Sequence, residues 1–432
     1  MSEPFAAFGD PARILCFLSI LMVPCAIAGL VLINAGLGRS RSAAHSLVGA
    51  LCVAAVAALA YFAIGFAIQG YAGLPARQLA ANGKLWSWAG AGQLFFGGVR
   101  FDGSPQSLAA LLGMFGAALA AMIPLGAGAD RWRLGASCAS TAILATVIFP
   151  LFAHWCWGGG WLAQLGANAG LGAGFLDNGG AGAIQAVGGL SALAVAWMLG
   201  PRRGKYSMEG MPAAIPGHNA VFVLFGCFLA WFGWMGLDCA AALLYSGADP
   251  SRAPLIAVNA TLGAAAAGLA AAAITRARFG RTDASLCANA WVAGLVASSA
   301  GCALLSPAES VMVGLVAGAL AVFSVEWLEL RLTVDDPGGA ISVHALGGIW
   351  GLLAVGLFAP AGNSGQWLAQ LIGVATLLGF VLPAAYGLNR LLDRFYRQRV
   401  APEGERQGLD LYELGAGAYP DFMTHSDDSW QR

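Results

Sequence analysis

Asp336-Pro337-Gly338-Gly339-Ala340-Ile341-Ser342-Val343-His344-Ala345-Leu346-Gly347-Gly348-Ile349-Trp350 decides the fold, because it sets a histidine inside a run apolar enough to lie in lipid. The run has a twin. Asp177-Asn178-Gly179-Gly180-Ala181-Gly182-Ala183-Ile184-Gln185-Ala186-Val187-Gly188-Gly189-Leu190 places an aspartate the same eight residues ahead of a polar side chain. Gln-Ala-Val-Gly-Gly-Leu then answers His-Ala-Leu-Gly-Gly-Ile. Polar groups are costly inside a bilayer, and a pair of them at matching positions of a repeated element marks a transporter or channel with an internal pseudo-twofold.

The rest of the chain agrees. Of 432 residues, 58% are hydrophobic and only 10% charged, and the mean hydropathy is +0.71, too little charge to solvate a soluble surface of that size. The 61 glycines suit helices that touch through small residues, such as Gly113, Ala117 and Ala121. The formal net charge is zero, so nothing points to nucleic acid. Nine cysteines lie scattered in apolar segments without paired spacing and read as small packing residues. Met1 to Arg13 carries two acids and one base ahead of an apolar run long enough to span, so no cleavable leader is expected.

Runs of about 20 apolar residues cross the hydrocarbon core. They fall near 12–37, 44–69, 106–128, 135–153, 179–200, 218–245, 253–275, 284–303, 308–330, 341–360 and 367–391, which predicts an all-α polytopic membrane protein of eleven transmembrane helices. Arg39/Arg41, Arg131/Arg133, Arg202/Arg203/Lys205, Arg276/Arg278/Arg281 and Arg331 fall in alternate loops, against Arg77, Lys84, Arg100 and Arg252 in the others. The positive-inside rule then puts the N-terminus outside and the C-terminus in the cytoplasm. An offset of five helices reverses the direction of the twin elements. Eight residues at 1.5 Å each carry Gln185 and His344 about 12 Å inward from opposite faces, the geometry of an inverted five-helix repeat with an extra C-terminal helix. The chain divides into a transmembrane domain at 1–392 and a cytoplasmic tail at 393–432. The tail opens on the basic run Asp393 to Arg399, which reads as membrane anchoring or as a partner surface.

Three constellations carry chemistry. Ala153-His154-Trp155-Cys156-Trp157-Gly158-Gly159-Gly160-Trp161 closes the fourth span, where indoles serve as an interfacial belt or as a π face for a small cation. Trp231-Phe232-Gly233-Trp234-Met235-Gly236-Leu237-Asp238 brings a carboxylate into the outer half of the sixth. There it is either solvated or concentrates cations. His344 is a pore-lining group or a structural histidine, and Gln185 hydrogen-bonds without titrating. Asp177 stands where it can cap a helix or touch a ligand. No nucleotide loop, metal cluster or nucleophile triad is present, so no cofactor, metal or enzymatic activity is expected.

These stretches, with Gly36-Leu37-Gly38-Arg39-Ser40, Pro216-Gly217-His218-Asn219, Gly408-Leu409-Asp410 and Ala418-Tyr419-Pro420-Asp421-Phe422, resemble the ammonium transporter family (Amt/Mep/Rh), its Amt branch above all, over nearly the whole chain. The resemblance implies a homotrimer in the inner (plasma) membrane, one narrow hydrophobic pore per subunit, ammonium recruitment at an outer site and conduction of ammonia. It assigns Trp157, Asp177 and Asp238 to recruitment, Phe115 and Leu237 to the gate, and Gln185 and His344 to the central pore, with a PII-type regulator at the tail. Several positions depart from the family. Gln185 replaces the first central histidine, Leu237 a gate phenylalanine, Asp238 an asparagine and Ala241 a serine, and Glu413-Leu414-Gly415 lacks a preceding histidine. Ammonium transport with an altered proton relay is the expected function, and an ammonium-binding sensor with little flux is the alternative.

Overall fold

The computed structural model describes residues 9–358 and 365–419. Positions 1–8 ahead of the first span, positions 359–360 of the tenth expected span and Pro420-Asp421-Phe422 of the tail motif lie outside them. Among the described residues nine helices are long and apolar enough to cross a membrane: α1 (Asp10–Leu37), α2 (Ser40–Gln69), α3 (Pro105–Gly128), α4 (Leu134–Cys156), α5 (Ala181–Leu199), α6 (Ala220–Tyr245), α7 (Pro250–Phe279), α9 (Pro307–Leu332) and α11 (Gln366–Phe395). Two shorter apolar helices, α8 (Ala284–Ser299) and α10 (Ile341–Leu357), occupy the other two expected places. The molecule is a mostly helical, multi-pass membrane protein.

Lipid offers helices no hydrophobic reason to associate, so close backbone approach does the work. Along the α1–α6 seam a Cβ at Gly29, Gly36, Gly226 or Gly233 would overlap main chain of the facing helix. The same device joins α7 to α8 and α9 through Gly263, Gly294, Gly314 and Gly318. At 30 residues, α11 is about 45 Å long at 1.5 Å per residue, more than a hydrocarbon core of about 30 Å needs, and its last turns carry Arg390, Asp393 and Arg394. Gln366 and Gln370 anchor its start to the carbonyls of Gly174, Leu176 and Leu352.

One departure from the all-α expectation stands between α2 and α3. Strands β1 (Ala76–Ala81) and β2 (Lys84–Gly90) form an antiparallel hairpin. Asn82 and Gly83 both take positive φ at its tip, 51° and 72°, the geometry a two-residue hairpin turn demands and Asn-Gly supplies.

At one end of the bundle the loop charges converge. The buried Arg202 guanidinium donates to both oxygens of Asp335 and to Asp130, while Arg131 donates to the carbonyls of Gly200, Ala129 and Asp335. Burial works to raise the Asp335 carboxyl, but Arg131 and Arg202 outweigh it and hold it below the ordinary value. The tail docks at this same end. Asp410 accepts from the backbone N–H of Ala44 and His45 near the start of α2, Glu413 from His45 and from Leu134 N–H, and Val400 N–H donates to Arg131 O.

Candidate functional site

The twin stretches become twin helix starts. Both α5 and α10 open with a π-turn, Ala181–Ala186 and Ile341–Leu346, the wide turn common at functional positions. Each follows a glycine at the same place in the motif with positive φ, 93° at Gly180 and 65° at Gly339. Each is capped by its aspartate. Asp177 takes the N–H groups of Gly180, Gly182 and Ala183 at 3.0, 2.9 and 2.8 Å. Asp336 takes those of Ala340 and Ile341 at 3.0 and 2.7 Å. An N-terminal carboxylate suits the otherwise unsatisfied amides and the positive end of the helix dipole.

Past these caps the two helices touch main chain to main chain. A Cβ at Gly189 would collide with Ala345, and one at Gly348 with the carbonyl of Ala181. This contact brings the polar pair together. His344 Nδ1 lies 2.8 Å from Gln185 Oε1; with the amide turned this way its oxygen only accepts, which assigns the proton to Nδ1. Gln185 is fully buried and His344 4% exposed. Gln185 Nε2 has no partner among the described residues, a donor left open in an apolar setting. Trp234 stacks along the imidazole, with ring centroids 6.4 Å apart, and donates its indole N–H to Ser299 Oγ at 3.0 Å.

Trp157, Asp177 and Asp238 also converge, on the Asp177–Gly180 bend. The Trp157 indole donates to Asp177 O at 2.7 Å and its ring edge lies against Gly180, where a Cβ would be crowded. One face of the indole is taken by Tyr245, stacked at 4.5 Å and 5°, a partner that nothing but its place at the end of α6 marked in the sequence. Asp238 sits under Gly179, whose missing Cβ makes room for the carboxylate. Asp238 is fully buried, and neither of its oxygens has a hydrogen-bond partner among the described residues. The neighbouring Ser299 hydroxyl spends its proton on Leu295 O. A buried carboxylate without donors is expensive unless a proton or a cation neutralises it.

Of the two gate positions, Leu237 is fully buried beside Asp238. Phe115 is half-buried and precedes Gly116, where a Cβ would press on Ile184 next to Gln185. The sequence reading did not include the hairpin's part in the site. Ser87 on β2 bonds His154 Nε2 through its hydroxyl, and its backbone takes Trp161 N–H and meets Gln164 Oε1. Trp155 donates to Trp88 O, and His154 Nδ1 reaches Gln69 O. The Trp157 turn is thereby pinned from outside the helical bundle.

The model of the Ammonium Transporter Family matches residues 14–419. Ammonium transporter Amt2 of Archaeoglobus fulgidus is 38% identical over 416 residues, 92% of this chain and 85% of that protein. An ammonium transporter of Bacillus subtilis is 30% identical over 421 residues, 94% and 98% of the two chains. Among solved structures, one described as a sensor Amt protein superposes with a TM-score of 0.83 at 29% identity, over 93% of this chain and 97% of that one.

Proposed function

Because the chain belongs to the Ammonium Transporter Family, a transport family rather than an enzyme family, we propose that it carries ammonium or ammonia through a narrow apolar passage in each subunit. In this reading the helices α1–α11 are eleven spans, the first ten an inverted repeat and α11 an addition. The transmembrane part is 1–392, the tail 393–432 is cytoplasmic, the N-terminus faces out, and the protein is a homotrimer of the inner (plasma) membrane. The observation that carries it is the 2.8 Å bond between His344 and Gln185 where two aspartate-capped, buried helix starts meet.

Ammonium is recruited at the outer end by Trp157 and by Asp238. The unpartnered carboxylate supplies the compensating charge for a small cation, and Asp177 holds the bend on which both rest. Phe115 and Leu237 close the passage, so ammonium sheds its water and leaves its proton at the outer end, where the Asp238 carboxylate can take it, and ammonia goes on to Gln185 and His344. The imidazole, with its proton fixed on Nδ1, presents Nε2 as an acceptor to the permeant, and Gln185 offers its spare N–H to a lone pair. Glutamine does not titrate, so proton transfer along this pair stops at residue 185, and any charge movement follows Asp238 and His344 instead.

The test is twofold: uptake of ammonium by a host lacking its own transporters, and current recording on purified protein in bilayers. Saturable uptake supports transport; no uptake together with ammonium binding supports the second reading, an ammonium sensor. The 0.83 superposition on a protein described as a sensor Amt favours keeping that alternative in the test. A PII-type regulator at the tail would meet a surface already engaged through Asp410 and Glu413.

A further inference from the structure

The tail does more than lie against the bundle, for it closes the wall of a cavity of about 690 Å³ with the loops before α4 and after α5. Four arginines face that space: Arg133 and Arg203 from the loops, Arg397 and Arg399 from the tail. Val400, Ala401, Pro402 and the Tyr412 ring supply an apolar side. The size falls in the range of small-molecule sites, roughly 300–1,000 Å³, and so does the mix of apolar wall and few polar groups.

Two of the arginines are already matched. Arg399 pairs with Glu405 at 2.8 Å and donates to the carbonyls of Leu199 and Pro201. Arg133 lies 3.9 Å from Glu413 and stacks over Tyr396. Arg203 and Arg397 differ. Their backbones are bonded, Arg203 N–H to Glu405 and Arg397 O to Arg133, but neither guanidinium makes a hydrogen bond or ion pair among the described residues. Two tail acids lie close by: Glu405, which lines the same space and has its oxygens taken by Arg399 and by Arg203 N–H, and Glu403, which feels the charge of Arg203 and pairs with Arg406. Positive charge at a cytoplasmic face needs no cavity. Here two uncommitted guanidiniums, one on the core and one on the tail, share a concave space with an apolar side.

We propose that this cavity binds a phosphate-bearing molecule with an organic body, its dianionic head between Arg203 and Arg397. Guanidinium matches phosphate oxygens in paired, charge-assisted hydrogen bonds, and two such forks neutralise the two charges of a phosphomonoester. The bound phosphate bridges tail and core, so it also holds the tail in place. The same phosphate chemistry reaches this face from two sources, a soluble organic phosphate or an anionic lipid headgroup.

The experiment titrates the full-length protein, in neutral detergent at fixed ionic strength, with AMP, inorganic phosphate and adenosine, alongside limited proteolysis of the tail. AMP is expected to bind saturably and phosphate more weakly, adenosine not at all, and AMP to slow tail cleavage. The double variant Arg203→Gln/Arg397→Gln removes both charged forks and should weaken AMP by about tenfold or more, while ammonium uptake stays unchanged. No saturable binding of AMP, of phosphate or of a phosphomonoester lipid, or equal affinity in the variant, overturns the proposal. Nanodiscs of phosphatidylcholine with and without phosphatidic acid, whose headgroup is a phosphomonoester, separate the sources. Competition of the lipid with AMP supports one shared phosphate site, whereas variant-sensitive lipid binding without any AMP binding overturns the soluble ligand and assigns the cavity to the headgroup.

Discussion

Changing Asp177 to asparagine tests how the site is held. The carboxylate accepts three backbone N–H groups, one on Oδ1 and two on Oδ2. An asparagine keeps one oxygen. Turned to satisfy Gly182 and Ala183, it aims its NH2 at the Gly180 N–H and leaves that donor buried and unpaired. The lost charge-assisted bond is worth ~1.5–3 kcal/mol, and the two kept bonds weaken from charged to neutral, so the variant should lose on the order of 3 kcal/mol at this helix start. Gly180 carries the edge of Trp157, Gly179 lies over Asp238, and Gln185 N–H is bonded to Gly180 O, so the loss falls on the whole outer site. Thermal unfolding of purified protein should shift down, and labelled methylammonium uptake per folded protein should fall, because the residues that rest on this bend lose their positions. Asp336→Asn, with two amides on its carboxylate instead of three, should be hurt less. A wild-type melting curve with wild-type uptake for Asp177→Asn would refute the cap as the support of the site.

Arg202→Ala removes the two-oxygen partner of Asp335 and one partner of Asp130, leaving Arg131 and Arg39 each 3.9 Å away, and should cost ~3 kcal/mol, the low end for a broken buried pair; denaturant unfolding in detergent measures it, and a loss below about 1 kcal/mol would contradict the arrangement. Gln185→His keeps an acceptor for His344 and adds a titratable group, so membrane currents should gain a pH dependence with little change in stability; unchanged currents would show that residue 185 does not interrupt proton movement. Burial pushes the Glu413 carboxyl up, but bonds from His45 and Leu134 N–H and the charge of Arg133 outweigh it and hold it below the ordinary value. Its hold on the tail is therefore complete above a glutamate's usual pKa of about 4.3 and is lost as pH falls beneath that. Tail proteolysis between pH 7 and 3 reads this directly, and loosening that begins near pH 6 would point to another group.

The helices were legible because lipid imposes a length and a composition on each, and the starts and ends of α5, α6 and α9 fall within two residues of the expected ones. The pairing of Gln185 with His344 was legible from spacing, since an aspartate eight residues ahead fixed depth in both copies. The hairpin was not. Its turn, Asn82-Gly83, carries a strong signal, but the flanking residues alternate weakly and a chain dominated by helical spans draws attention away from them. Tyr245 and Ser299 were hidden for another reason: their roles depend on contacts across the fold, which no periodicity records. Asp238 was visible as a carboxylate, whereas its want of any donor appears only once its surroundings are known. The tail's grip through Asp410 joins residues more than 360 positions apart, beyond what local pattern reveals.

The collision of Gly189 and Gly348 with opposing backbone has a bearing on selectivity. The separation of the two helices at that crossing is set by main-chain atoms, which have no rotamers to swing aside. In the function proposed above, a passage beside it cannot widen there by moving a side chain, so exchanging a ring for an amide at residue 185 alters its chemistry without altering how closely the helix starts approach.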